Sequence, residues 1–217
     1  ATTLLVRLGR DTMAVEQYTR TPGRMEGTVV SRTPVTTVQR YAVELGADDA
    51  PVRMEYSVRR ADGSPPVAGA IHALTLRFSG DSIHLTGRRG SGDTSRATLA
   101  KGMLLPFVNN SYGLYELGLA RLRNAGRDSG VFSLVPMNIG VRTLSPLPVR
   151  LFGDSARFTW FGAPLYARHD GRGNLLGLDG TRTAVKVRVE RVPALDVDAL
   201  TRRWAARDQR SLPSSPR

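Results

Sequence analysis

The chain has 217 residues, 41% hydrophobic and 23% charged, which suits one large folded domain with a buried core. It has no cysteine, so disulfides, thiol catalysis and cysteine-held metals are excluded, and no apolar run reaches the length of a membrane-spanning helix. The net charge is +12, and every one of the 31 basic residues except Lys101 and Lys186 is arginine.

The numbering opens at Ala1 and enters the apolar stretch Leu4-Leu5-Val6. Read as it stands, this resembles a mature chain after signal-peptide removal, with no first cysteine to carry a lipid anchor. An exported protein, periplasmic or in the cell envelope and peripheral to a membrane, is the expectation.

The first ninety residues read as a strand meander. Tyr41, Val43 and Leu45 alternate with Arg40, Ala42 and Glu44. Val52, Met54, Tyr56 and Val58 alternate with Arg53, Glu55, Ser57 and Arg59, and Leu74, Leu76 and Phe78 with Ala73, Thr75 and Arg77. This period of two is the mark of strands with one apolar and one polar face. Turn signals separate them at 21–23, 46–49, 62–66 and 79–81. Residues 87–98 are polar and glycine-rich and read as a loop or hairpin tip.

Asn109-Asn110-Ser111 can cap a helix whose stripe is Tyr112, Tyr115, Leu119 and Leu122, with Gly126 as its stop. Strands resume at 131–135, 149–152, 156–161, 165–169, 175–178 and 184–192, the last with Val185, Val187 and Val189 on one side. After Pro193 a terminal helix follows, capped by Asp196 or Asp198. Its stripe is Val197, Leu200 and Trp204, and Arg202, Arg203, Arg207 and Arg210 stand on its polar face. Residues 211–217 have the composition of an extended tail.

No linker divides the chain, so 1–210 is expected to be a single β-rich domain. About ten strands in one twisted sheet must curl to bury a face. The expected fold is mainly β: a curled antiparallel sheet, half-barrel or open barrel, with one middle and one C-terminal helix.

The motifs that carry chemistry do not assemble in the sequence. Residues 87–94 have phosphate-loop spacing, but Asp93 stands where a lysine is needed. Asp128-Ser129-Gly130 matches the aspartic-protease triplet without a second copy. His72, His84 and His169 have no metal-ligand spacing, and no G-x-S-x-G elbow exists. Phe158, Trp160, Phe161 and Tyr166 read as core packing. No catalytic residue, cofactor or metal is therefore expected.

The arginines are spread along the chain without interleaved aromatics, which argues against nucleic acid as the partner. A basic exterior suits acidic protein surfaces or an anionic membrane surface. Arg202, Arg203, Trp204, Arg207 and Arg210 are the candidate partner-binding residues, with Arg88 and Arg89 on the glycine-rich segment as second candidates.

Residues 8–16, Leu-Gly-Arg-Asp-Thr-Met-Ala-Val-Glu, and 179–192, from Asp179-Gly180-Thr181 to Val187-Arg188-Val189-Glu190-Arg191-Val192, resemble exported bacterial β-rich domains of unknown function. More distantly, they resemble the half-barrel lipoprotein carriers of the periplasm. The carrier likeness implies a concave apolar face covered by the helix at 110–125, and transfers no catalytic residue.

The resulting expectation is a non-catalytic, extrinsic subunit that binds other proteins of a membrane-associated assembly, a photosynthetic reaction-centre and antenna complex being one such setting. A periplasmic carrier of lipid or another apolar ligand is the alternative. A second alternative is an unrecognised hydrolase, which needs His169 or His84 beside a serine and an acid.

Overall fold

In a computed structural model, the described residues are 1–32, 35–66, 71–89, 92–137, 143–184 and 186–211. Nine strands come first: β1 (Thr2–Leu8), β2 (Asp11–Thr21), β3 (Arg24–Arg32), β4 (Thr36–Leu45), β5 (Pro51–Arg60), β6 (Ala73–Ser79), β7 (Ser82–Arg89), β8 (Gly92–Leu99) and β9 (Met103–Phe107). Helix α1 (Tyr115–Asn124) follows. Then come β10 (Ser129–Pro136), β11 (Ser145–Phe152), β12 (Ser155–Trp160), β13 (Ala163–His169), β14 (Leu175–Gly180), β15 (Val187–Val192) and helix α2 (Val197–Ser211).

All fifteen strands join one open, curled sheet in the order 8-7-6-5-4-3-2-1-15-14-13-12-11-10-9. Neighbours are antiparallel except β9 and β10; most are consecutive in the chain, and β1 and β15 bring its two ends side by side. The β9–β10 pair is parallel because α1 crosses between them, the long connection a parallel pair requires. The expected β-rich fold with a middle and a C-terminal helix is what forms, with more strands than the ten anticipated.

The segment 87–98 is not a loop. Its described residues continue β7 and form β8, the edge of the sheet, where side chains on both faces are largely exposed. A polar edge strand resists pairing with other chains, so it carries no apolar alternation to betray it. Val52 likewise departs from its pattern. The register shifts after Glu44, Leu45 pairs with Pro51, and Val52 is pushed outward to 48% exposure. Val185 and residues 212–217 lie outside the described residues, so the expected face of Val185 and the tail are not described.

The concave side of the sheet holds the main core. Leu4, Val29, Val43, Met54 and Leu76 from one half meet Phe132, Leu147, Phe158 and Leu165 from the other, all buried. Between the halves stands α1. Tyr115, Leu119 and Leu122 are buried as the helical stripe predicts, but so are Leu117, Gly118 and Ala120. A helix buried nearly all round is one that the sheet encloses. Tyr115 stacks on Phe158 with ring centroids 5.0 Å apart. Gly118 faces Phe132, and the helix closes at Gly126, whose φ of +62° suits glycine.

The helix start differs from expectation in an informative way. The helix begins at Tyr115, four residues after Ser111, and no side chain of the 109–111 segment caps it. Ser111 instead gives its hydroxyl to Glu16 Oε1 at 2.5 Å, and Tyr41 donates to the same oxygen at 2.7 Å. The backbone N–H groups of Tyr112 and Gly113 donate to Glu16 Oε2 at 2.7 and 2.9 Å. A carboxylate on β2 thus satisfies the orphan donors that precede α1, a task usually met by a local cap.

Glu116, on the helix itself, answers in the opposite direction. Its Oε1 accepts from Tyr18 Oη at 2.5 Å and from the Leu175 N–H at 2.6 Å, tying α1 to β2 and β14. Two glycines make the approach possible. A Cβ on Gly27 would stand 2.5 Å from the Tyr41 ring, and one on Gly113 would stand 2.7 Å from the Tyr18 ring.

Burial raises both carboxyls above their ordinary value of 4.5, offset in part by the donors around them. A raised folded-state value means that these groups contribute their full stability below the unfolded-chain value and lose it as pH rises through the folded one. Chemical-denaturation midpoints from mildly acidic to mildly alkaline pH should therefore show the wild type losing ground against Glu16→Gln as pH increases. Glu16→Leu, which leaves four donors unpaired, should cost about 3 kcal/mol or more at any pH.

Candidate functional site

Most strands bury one face. Parts of β1, β2 and β3, and the start of β4, are covered on both faces, because α2 lies on their outer side. Leu5 pairs with Val15, Val15 with Val30, and Val30 with Val38, forming one apolar row across four strands on the convex face. Val197, Leu200 and Trp204 cover that row. The apolar doublets Leu4-Leu5, Ala14-Val15 and Val29-Val30 are its signature in the sequence, since strands covered on both faces lose their alternation.

The helix starts at Asp196, whose Oδ1 accepts the Ala199 N–H at 2.8 Å, which decides between the two candidate caps. Asp208 pins the distal end. It takes Arg32 Nε at 2.7 Å on one oxygen, and the Thr36 N–H at 2.6 Å and hydroxyl at 2.5 Å on the other. Partial burial opposes its ionisation, but the Thr36 and Arg32 donors hold its carboxyl below the ordinary value.

Beside this helix runs an open groove of about 640 Å³ between α2 and the β1–β2 corner. Its apolar lining includes Leu5, Met13, Val15, Leu195, Leu200 and Trp204. Arg10, Arg203 and Arg207 also line it, with Asp11 and with Arg32, whose Nε is held by Asp208. Such a site suits a ligand surface with carboxylate or phosphate groups on an apolar body.

The structure gathers the sequence-based candidates only in part. Arg203 and Arg207 line the groove, and Arg202 is exposed on the same helix. Trp204 does not belong with them as a free contact: it is 5% exposed and packs on Val15 and Val30, so its indole anchors α2 instead. The Arg210 and Arg89 side chains lie outside the described residues. Arg88 is exposed on β7, six strands along the sheet from β1, with its Nε 3.5 Å from Asp93. Arg10 and Arg32 are the residues that sequence reasoning missed. They lie far from α2 in the chain, and nothing in their neighbourhoods marks them.

The two histidines named for a hydrolase lie in separate places. His84 Nε2 lies 3.3 Å from Ser82 on the exposed face of β7, where its cross-strand neighbours are Arg77 and Ala97. His169 is buried, its Nδ1 3.2 Å from Arg123 Nη1 and 3.0 Å from the Asp170 carbonyl. Ser129 donates to its neighbour Asp128 at the exposed start of β10. Among the described residues, no group of three or more His, Asp or Glu could hold a metal ion.

The fold defines a class: an open curled sheet wrapped around a central helix, with a second helix and an arginine-lined groove on its convex wall. No protein-family model matches the chain, and no curated protein matches it. It is similar to the crystal structure of a DUF1089 family protein from Pseudomonas aeruginosa, with a TM-score of 0.57 and 13% identity. The match covers 76% of this chain and 89% of that chain, and at this identity it is a likeness of fold.

If α2 is held as described, Trp204→Ala should lower the unfolding free energy by about 3–5 kcal/mol through loss of its buried ring. Asp208→Ala, which strands Thr36 and Arg32, should cost roughly 1–3 kcal/mol. Urea titration read by far-UV circular dichroism measures both, and an unchanged midpoint for Trp204→Ala would contradict the docked helix.

Proposed function

We propose that this protein is a non-catalytic, exported binding subunit, held peripherally at a membrane-associated assembly by an acidic protein surface that docks in the α2 groove. The observation that carries the reading is the convergence of Arg10, Arg203 and Arg207 around an apolar floor, beside an Arg32 that Asp208 holds in place. Arginine forks recognise carboxylates with two parallel hydrogen bonds, and apolar contact beneath them excludes the water that would weaken those bonds. The net charge of +12 steers acidic partners to the whole surface before the groove selects among them.

The carrier reading asks for room on the concave face. That space is occupied by α1, whose Tyr115, Leu117 and Leu119 are almost fully buried there. A ligand could enter only by displacing the helix and the two glutamates that hold it. The groove requires no such rearrangement, which favours binding on the outer wall.

Sedimentation with envelope membranes of the host tests the proposal. The protein should travel with the membranes at low salt and be released at high salt, because exposed charge contacts are screened. The double substitution Arg203→Glu/Arg207→Glu should weaken the association by about tenfold or more at low salt. Pretreating the membranes with protease should do the same to the wild type. A wild-type protein that remains in the supernatant at low salt would sink the idea, as would a double variant that binds as well as the parent.

A further inference from the structure

Because the strands alternate in direction, the turns of the sheet fall on two opposite rims. One rim carries the turns that follow β1, β5, β7, β12 and β14. The other carries those that follow β2, β4, β6, β11 and β13. The turns of this second rim, with the α1–β10 connection, hold Asp48, Asp49, Asp81, Asp128, Asp154 and Asp170 beside the exposed Arg127 and Arg172, and Asp49 is paired with Arg20. The first rim presents Arg10, Arg60, Arg88, Arg182 and Lys186, all exposed. It also carries Asp11, Asp62, Asp93 and Asp179, of which Asp93 is paired with Arg88 while Asp62 and Asp179 accept from the Ser64 and Thr181 hydroxyls and stay charged. With five bases against these four acids on the first rim, and six acids against two bases on the second, the second rim is the more acidic of the two.

The first rim also holds the most anomalous residue of the fold. The β12–β13 turn is Phe161-Gly162, and both residues have positive φ, +46° and +81°. Hairpin turns of this kind favour asparagine or glycine, which reach the left-handed region with little strain. Phenylalanine there is strained, and its ring is 76% exposed. The side chain is thus unfavourable for the backbone and for solvation at once, and within the protein its ring contact is an edge-on one with Trp160. Strain kept at a surface position points to use in binding. Phe161 meets Trp160 edge-on with ring centroids 5.0 Å apart, and Trp160 meets Phe107 at 6.2 Å. Leu8, on the same rim at the end of β1, is 44% exposed. Arg182 and Lys186, on the β14–β15 turn, stand between Leu8 and Phe161 in the strand order.

We infer that this rim is a bilayer contact: Phe161 inserts into the interface of an anionic membrane, while Arg182 and Lys186 bind its phosphate headgroups. An aromatic side chain at a hairpin tip, flanked by cations and backed by a tryptophan, matches the headgroup-to-acyl boundary in both polarity and charge. The acidic rim then points away from the membrane. The groove, whose Arg10 and Arg32 lie at the same end of the sheet, is held close to the surface facing proteins embedded there.

The test uses protein-free vesicles, so its result is independent of the acidic protein partner proposed for the groove. Wild-type protein should bind vesicles of phosphatidylcholine with phosphatidylglycerol, and bind pure phosphatidylcholine about tenfold more weakly or less. Phe161→Asn should lose about tenfold or more of the anionic-vesicle affinity, the loss expected for one aromatic side chain kept out of the bilayer. Its melting temperature should stay level or rise, since asparagine suits the turn. Phe161→Trp should retain binding. Acyl-chain-brominated lipid should quench Trp160 in the wild type and spare it in Phe161→Asn. The inference is overturned if Phe161→Asn binds vesicles as tightly as the parent, or if neither protein binds them. It is also overturned if Arg203→Glu/Arg207→Glu, and not Phe161→Asn, abolishes vesicle binding, because the lipid would then occupy the groove.

Discussion

The structure turns on one carboxylate. Glu16 reaches from β2 into the concave side of the sheet and takes four donors, two of them backbone N–H groups just before α1. A sheet of fifteen strands cannot fill its own interior with strand side chains alone, so it needs a central element. A helix placed there buries its polar start in a low-dielectric site, where unpaired N–H groups are costly. Glu16 removes that cost, and Glu116 anchors the helix to β2 and β14. The tyrosines and the glycines opposite them exist in this arrangement to let two acids be buried with partners.

With α1 filling the concave face, binding surface is left to the convex wall and the rims. Helix α2 covers the apolar row of β1 to β4 and, in doing so, creates the groove along its margin. The same sheet geometry that sorts turns onto two rims leaves one rim the more acidic, and the opposite rim carries the strained phenylalanine. These are separate surfaces with one orientation in common: the groove end and the Phe161 turn lie at the same end of the strands.

Much of this architecture is legible along the chain. The alternation in 40–45, 52–58 and 73–78, and the turn residues between them, announce an antiparallel meander because each strand there buries one face only. The stripe from Tyr112 to Leu122 marks α1, and Val197, Leu200 and Trp204 mark α2. The edge strand β8 was hidden, since exposure on both faces removes the periodicity that identifies a strand. The helix cap was hidden for a different reason. Ser111 looks like a local cap, but its hydroxyl is drawn to an acid 95 positions away in the chain, and nothing local distinguishes the two fates.

The candidate site was legible only by halves. The arginines of α2 stand out in sequence because a helix repeats every three to four residues and separates its faces. Trp204 stands beside them in the chain but points the opposite way. Arg10 and Arg32 join the groove only because β1, β2 and β3 pair side by side. Local pattern therefore determined that this is a basic, mainly β protein with two helices. Its tertiary structure alone decided which charges converge, which acids are buried and which aromatic is exposed, because those outcomes depend on contacts between residues distant in the chain.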